Sequence, residues 1–187
     1  MSEADLIYRA RQGDEAAWET LVQVHQEPVF RLAYLLLGDA DDADDAAQET
    51  FIRAFRALAS FDGKRPLRPW LLRITTNLAH NRRRSVRRYL AALQRALSLA
   101  PEPVEPFCDH SAIQWEAQAL WQAVQRLGCT DQEIIYLRYF LDLSEAETAR
   151  TLEIAPGTVK SRLSRALGRL RTVVDREFPA LRQERQT

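Results

Sequence analysis

The 187-residue sequence has few of the residues that build metal centres or disulfide frameworks, and it has no long apolar run. Its two cysteines, Cys108 and Cys129, form no Cys-x-x-Cys pair, and its three histidines are scattered. This spacing argues against a metal site and predicts reduced thiols, as in a cytoplasmic protein. No segment approaches the length of a transmembrane helix, and Asp5 and Arg9 interrupt the first apolar residues. We therefore expect neither a membrane span nor a signal segment.

Strand patterns and catalytic constellations are also missing from the sequence. No alternating run of Val, Ile, Thr and aromatic residues is bounded by turn residues. The sequence contains no glycine-rich phosphate loop and no pair of carboxylates beside a plausible nucleophile. It therefore predicts an all-α protein that performs no covalent chemistry on a small-molecule substrate and needs no cofactor.

Acidic and basic residues are equal in number, 26 each, yet they are segregated along the chain. Residues 1–59 and residues 96–155 each carry a formal charge of −7. Residues 60–95 carry +9, and residues 156–187 carry +5. Two basic blocks inside an otherwise acidic protein indicate two surfaces that face phosphates, and the acidic blocks would limit indiscriminate binding or serve a basic partner.

Residues 143–171 have the pattern of a helix-turn-helix. Ser144 and Glu147 have the spacing of a capping box, which marks the start of the first helix, and Pro156 suits the first position of the second. The apolar positions of the second helix are Val159, Leu163, Ala166, Leu167 and Leu170. Its opposite face carries Gly157, Lys160, Ser161, Ser164, Arg165 and Gly168. This face is typical of a recognition helix in a DNA major groove, although a basic amphipathic helix packed on a bundle has the same pattern.

The helical patterns divide the chain into two small domains. The predicted helices cover residues 3–12, 14–38, 41–58, 69–88, 112–127 and 130–141, and the helix-turn-helix follows them. A second capping box is predicted at Thr130 and Glu133. Three prolines in an acidic stretch predict an extended linker between the domains. The predicted division is a first domain at 1–92, a linker at 93–111, a second domain at 112–178 and a disordered tail at 179–187.

The third predicted helix has a core face and a charged face. Ala47, Phe51, Ala54, Phe55 and Leu58 are assigned to the core. Its opposite face carries Asp45, Gln48, Glu49, Ile52 and Arg56. Acidic residues crowd the start of this helix, where they favour the positive end of its dipole. That effect does not explain Ile52, an apolar residue among charges, which fits an anchor for a protein interface.

A basic loop and a polar helix face follow. Lys64, Arg65 and Arg68 lie in a proline-containing loop that cannot be helical. The outward face of the next helix is predicted to present Arg73, Thr76, Asn77, His80 and Arg84, with Asn81 at its margin. Arginines suit phosphates, whereas amides and hydroxyls suit base edges, so this surface is a candidate for binding an unstacked base.

Two regions of the chain, one in each predicted domain, resemble a known family. The resemblance to region two of the bacterial sigma-70 family rests on DADDADDAAQETFIRAFRALASFDG and on RPWLLRITTNLAHNRRR. The resemblance to region four rests on LSEAETARTLEIAPGTVKSRLSRALGRLR, with its characteristic GTVKSRL stretch. The two matches occur in the family's order and cover nearly all of the chain except the linker and the tail. The chain is most similar to the extracytoplasmic-function (ECF) subgroup, which keeps only these two domains.

The resemblance implies a fold of two helical domains, partners and residue roles. Core RNA polymerase, through its beta-prime clamp and beta flap, and promoter DNA would be the partners, with an anti-sigma protein as inhibitor. The clamp contacts would be Asp45, Gln48, Glu49, Ile52, Arg53 and Arg56. The −10 element would be contacted by Lys64, Arg65, Arg68, Arg73, Asn77 and Asn81. The −35 element would be contacted by Thr158, Lys160, Ser161, Arg162, Ser164 and Arg165, with Arg162 on a phosphate because of its position near the buried side.

One departure from the family concerns the recognition helix. Ala155 stands where the family often has a capping serine, and the loss of that hydroxyl costs about 1 kcal/mol of helix stability.

A free-standing helix-turn-helix regulator is the alternative interpretation, and it predicts tight operator binding by the protein alone, usually as a dimer on a palindrome. A purely protein-binding adaptor is a further alternative, but it leaves the two basic surfaces without a role.

Overall fold

The computed structural model describes residues 2–97 and 112–183, and within those ranges every regular element is helical. The α-helices are α1 Glu3–Arg11, α2 Glu15–Leu37, α3 Ala40–Ala57, α4 Leu67–Leu97, α5 Ala112–Gln125, α6 Cys129–Ile135, α7 Glu145–Leu152, α8 Pro156–Glu177 and α9 Ala180–Gln183. The all-α prediction is confirmed. We call α1–α4 the N-terminal module and α5–α9 the C-terminal module. Among the described helices, none is long and apolar enough to cross a membrane.

Helix α4 runs to Leu97, past the predicted domain boundary at residue 92. The rest of the predicted linker, residues 98–111, lies outside the described residues. Helix α9 lies within the segment 179–187, for which the sequence predicts a disordered tail.

Short polar side chains set the helix boundaries of the N-terminal module. Asp14 accepts a hydrogen bond from the amide of Ala17 at the start of α2, and Asp39 accepts one from the amide of Asp42 at the start of α3. Gly38 ends α2 in the left-handed region, with φ of 79°, which a residue without Cβ adopts at little cost. These caps explain why α2 and α3 begin and end close to the predicted positions.

Helices α2, α3 and α4 form the core of the N-terminal module. Leu32 and Leu72 are fully buried, and so is Ala54. The buried hydroxyls of Thr50 on α3 and Thr75 on α4 lie 3.2 Å apart, within hydrogen-bond distance. Because each of these side chains leaves water for a packed interior, their burial supplies most of the module's stability.

Two aromatic residues of this module are exposed, and one of them, Phe55, is assigned to the core by the sequence. Phe30 on α2 stacks on Tyr34 with ring centroids 6.3 Å apart, and Phe55 on α3 lies 5.2 Å from the ring of Trp18. Phe55 is 53% exposed. The prediction failed because the apolar arc of each helix is wider than the face that neighbouring helices cover.

The C-terminal module has the predicted helix-turn-helix. The capping box of Ser144 and Glu147 is present at the start of α7. Glu153 ends α7 in the left-handed region, with φ of 52°, and Pro156 is the first residue of α8. Ala155 caps α8 without any side-chain hydrogen bond, as expected from its missing hydroxyl.

The second predicted capping box is wrong. Helix α6 begins one residue earlier, at Cys129, with Gly128 as its N-cap and no side-chain cap. Glu133 is therefore not a capping residue, and it lies buried in the module. After Ile135 the helix widens into a π-helical turn, residues 136–140, which ends where the amide of Leu141 donates to the carbonyl of Tyr136 at 3.0 Å.

Candidate nucleic-acid interface

The outer face of α8 is polar, basic and exposed. Lys160, Ser161, Ser164 and Arg165 are all exposed on it. On the opposite side of the helix Val159 and Ala166 are fully buried, while the predicted apolar positions Leu163, Leu167 and Leu170 are half-buried. Thr158 and Arg162 are half-buried at the margins of the exposed face. This arrangement leaves cationic and hydroxyl groups free to meet phosphates and base edges.

Three arginines of α8 line an open cavity of about 360 Å³ beside the start of α6. Arg169 is held there by Asp131, with N···O distances of 2.5 and 2.7 Å. Arg165 Nε donates to the carbonyl of Ser161 at 3.2 Å, and Arg162 completes the lining. Such a concave cationic surface has the charge and the donors that bind a phosphate.

Glu133 is the most perturbed carboxyl in the described part of the chain. Burial raises its pKa to about 7, and the nearby positive charge of Arg162 opposes the shift. The Oε1 atom of Glu133 makes no hydrogen bond, although His80 Nε2 of the N-terminal module lies 3.5 Å away. Burial also lowers the pKa of His80, together with the charges of Arg83 and Arg84. Because Glu133 and His80 both favour their neutral forms, the contact between them is weaker than an ion pair.

The basic loop between α3 and α4 is fixed at both ends. Arg11 Nε donates to the carbonyl of Leu58 at 2.9 Å, and the amide of Leu67 donates to Glu3 Oε1 at 3.0 Å. Between these anchors Lys64 and Arg65 are exposed. The loop therefore presents its two cations to solvent from a rigid base.

The predicted −10 residues on α4 are not equally accessible. Asn77 and Asn81 are exposed. Arg68 donates to the carbonyl of Leu141 at 2.7 Å, and Arg73 pairs with Glu153 at 2.8 Å. Both of those partners belong to the C-terminal module. All four residues lie on α4, but only the two asparagines are open to solvent, whereas the two arginines are bound to groups of the C-terminal module.

The sequence predicts Thr76 on the outward face of α4, but this prediction is wrong, because Thr76 is buried and only 5% exposed. It lies on the same side of α4 as Pro69, Arg73, His80 and Arg83, a set we call the α4 stripe. Thr151 Oγ1 lies 3.4 Å from the carbonyl of Pro69, and Arg83 lies 3.5 Å from Gln132 Oε1. The sequence assigned this side to solvent because nothing in it shows that α7 packs along α4.

The charged face of α3 has the predicted apolar centre. Ile52 is 45% exposed, and exposed Phe55 lies one turn further along the helix. Gln48 and Arg56 are exposed, Glu49 pairs with Arg53 at 2.7 Å, and Asp45 lies 3.3 Å from Arg82 of α4. Sequence reasoning missed Phe55 as a surface residue. The signal was present, since Phe51, Ile52 and Phe55 span too wide an arc for one buried face.

Comparison with known proteins gives matches over both modules. Residues 21–89 match the family model for sigma-70 region 2, and residues 117–170 match that for sigma-70, region 4. The chain is 32% identical over 175 residues to the ECF RNA polymerase sigma factor SigW of Bacillus subtilis, covering 88% of this chain and 92% of SigW. It is 35% identical over 170 residues to SigM of Mycobacterium tuberculosis, covering 90% and 83%. The solved structure of CnrH in complex with the cytosolic domain of CnrY is similar with a TM-score of 0.70 and 26% identity, covering 94% of this chain and 98% of the matched chain.

Proposed function

The chain belongs to the sigma-70 family as an ECF RNA polymerase sigma factor, and on that basis we propose how its two modules divide promoter recognition. The outer face of α8 reads the −35 element. The basic loop and α4 bind the −10 element and help to open the duplex. The charged face of α3 docks on the beta-prime clamp, and the C-terminal module meets the beta flap.

One observation carries the −35 assignment. The exposed side chains of Lys160 and Arg165 stand on the second helix of a helix-turn-helix, whose other side holds the buried Val159 and Ala166. A helix fixed on one side and polar on the other can enter a major groove without rearranging its core. The −10 and clamp assignments rest on the exposure of Lys64, Arg65, Asn77 and Ile52.

The remaining parts of the proposal follow from this role. Each module is one domain, the first continuing beyond the predicted boundary at residue 92 to the end of α4 at Leu97, and the segment between the modules tethers one to the other. The chain works in the cytoplasm, where core polymerase and the chromosome are, and it performs no covalent chemistry itself. A second protein of the anti-sigma class would hold it inactive, which is consistent with the CnrH likeness, a structure determined with a bound protein.

Run-off transcription tests the proposal. Purified core RNA polymerase is given promoters from the same genome, with and without this chain. We expect discrete run-off products only when the chain is present. Products of equal yield without it, or tight operator binding by the chain alone, would contradict the sigma-factor role and favour a free-standing regulator.

The double substitution of Lys160→Ala with Arg165→Ala should weaken holoenzyme binding at the −35 element by tenfold or more. Two charge-assisted contacts are lost, and each is worth about 1 kcal/mol or more at a base or phosphate. The slope of log affinity against log salt should fall by about 2. Filter binding of holoenzyme to promoter DNA at several salt concentrations, from about 50 to about 300 mM, measures both the affinity and the slope.

The matched control is Arg171→Ala with Arg176→Ala. These residues lie on α8 and are exposed, but they are remote from the exposed polar face at its start. The control removes the same charge, so an equal loss of affinity in both variants would assign the effect to net charge rather than to the recognition face.

A further inference from the structure

We propose that the C-terminal module masks part of the −10-reading side of α4 in the free protein, and that the ion pair of Glu153 with Arg73 is one of the contacts that favour this closed state. The inference rests on the proposed function, since it concerns the access of DNA to residues assigned to the −10 element. In this closed state α7 and the turn after it lie along the α4 stripe. Single-stranded DNA reaches that stripe only after the modules separate.

The contacts that close the two modules use the DNA-binding groups themselves. Arg68 is committed to the carbonyl of Leu141, and Arg73 is committed to Glu153. Arg83 and His80, further along the same stripe, lie beside Gln132 and Glu133. A guanidinium that donates to a carbonyl or a carboxylate of α7 cannot give the same hydrogens to a phosphate.

The same boundary is poorly satisfied, which makes it separable. Five side chains in the described part of the chain have a buried polar atom without a hydrogen-bond partner. Three of them, Arg68, Thr76 and Glu133, lie at this boundary. A buried polar atom without a partner costs free energy that water would return on opening. Apolar side chains of both modules, Leu71 and Leu143 among them, share one core cluster at this boundary. The orphaned atoms lower the free energy needed to separate the modules.

Glu153 is a suitable residue to test because it also ends α7 with φ of 52°. Asparagine adopts the left-handed region more readily than glutamate does. The substitution Glu153→Asn therefore removes the ion pair to Arg73 without straining the turn. A change in DNA binding cannot then be attributed to a damaged helix-turn-helix.

The control is Glu145→Asn. Glu145 is exposed in the first turn of α7, and its loss removes the same negative charge. Any general gain in attraction between the chain and DNA appears in this variant too. Only the excess of Glu153→Asn over Glu145→Asn reports on the masking contact.

The experiment measures two quantities on the full chain without polymerase. Fluorescence anisotropy gives the affinity for a labelled single-stranded oligonucleotide carrying the −10 sequence of a promoter active in the run-off assay. Small-angle X-ray scattering gives the radius of gyration, which is about 16 Å for a compact globule of this length. We expect Glu153→Asn to bind the oligonucleotide about fivefold more tightly than Glu145→Asn, with a larger radius of gyration.

A charge reversal strengthens the test. Glu153→Arg places two guanidiniums together and should expand the particle further, while adding Arg73→Glu restores the opposite pair and should compact it again. Equal affinities and equal radii for Glu153→Asn and Glu145→Asn would overturn the masking proposal. If those variants still direct run-off transcription, the sigma-factor role stands, whereas loss of run-off by the wild-type chain would overturn the role itself.

Discussion

Ile52→Asp combined with Glu49→Ala should weaken binding to core RNA polymerase thirtyfold or more. Ile52 is a half-exposed apolar residue ringed by charges, which is the setting of an interface anchor. Replacing it by aspartate removes apolar contact and places an unpaired charge in the docked interface, and the expected loss of about 2 kcal/mol corresponds to that factor. Titration of labelled chain with core polymerase, in the absence of DNA, measures the affinity.

A matched pair of substitutions is available on the neighbouring helix. Val24→Asp with Glu19→Ala also changes an exposed apolar residue and an exposed glutamate, on α2. We expect this pair to leave polymerase affinity within about twofold, and the α3 pair to leave the salt dependence of oligonucleotide binding unchanged. Equal losses from both pairs would show that α3 has no special part in docking.

The second large effect concerns stability and pH. Burial raises the pKa of Glu133 to about 7 from its usual 4.5, so the folded chain holds this proton more tightly than the unfolded chain does. Stability is therefore highest below pH 4.5 as far as this group is concerned, falls as the pH rises to about 7, and is level above that. A shift of this size corresponds to roughly 3 kcal/mol. Glu133→Gln should abolish this slope.

Urea unfolding of both chains at several pH values between 5 and 8 provides the measurement. The difference between the two chains at each pH isolates Glu133 from His25 and His80, whose pKa values burial lowers. We expect the variant to gain stability relative to wild type with rising pH, whatever constant cost the buried amide adds. Glu145→Gln, at an exposed position, is the control. A difference that stays constant across the range would contradict the perturbed carboxyl.

The helices and the helix-turn-helix follow from local sequence, because caps and periodicity are local properties. Asp14, Asp39 and Ser144 accept the amide hydrogen bonds that start their helices, and Gly38 ends α2. The exposed face of α8 was predictable for the same reason, since its buried positions repeat at helical spacing. Long-range packing was not predictable in this way.

The failures all concern packing between helices. The environments of Thr76 and Glu133 depend on which helix lies opposite, and a single sequence carries no direct signal for that. For Phe55 the width of the apolar arc was a signal, but the neighbouring helices decide which part of that arc is buried. Glu133 has capping-box spacing from Thr130, but the helix starts at Cys129 and turns the carboxyl inward. Thr76 sits on a polar face that the C-terminal module covers. The residue roles assigned to the clamp, the −10 and the −35 elements remain predictions.

Arg82 of α4 joins the charged face of α3 to α4 at the surface of the N-terminal module. Its guanidinium contacts both Asp42 and Asp45 near the start of α3, and Thr50 and Thr75 join the same two helices in the interior. These contacts hold α3 and α4 in a fixed relative orientation. Docking of α3 on the polymerase, as proposed above, would therefore turn α4 by the same rotation and aim it at the strand to be separated.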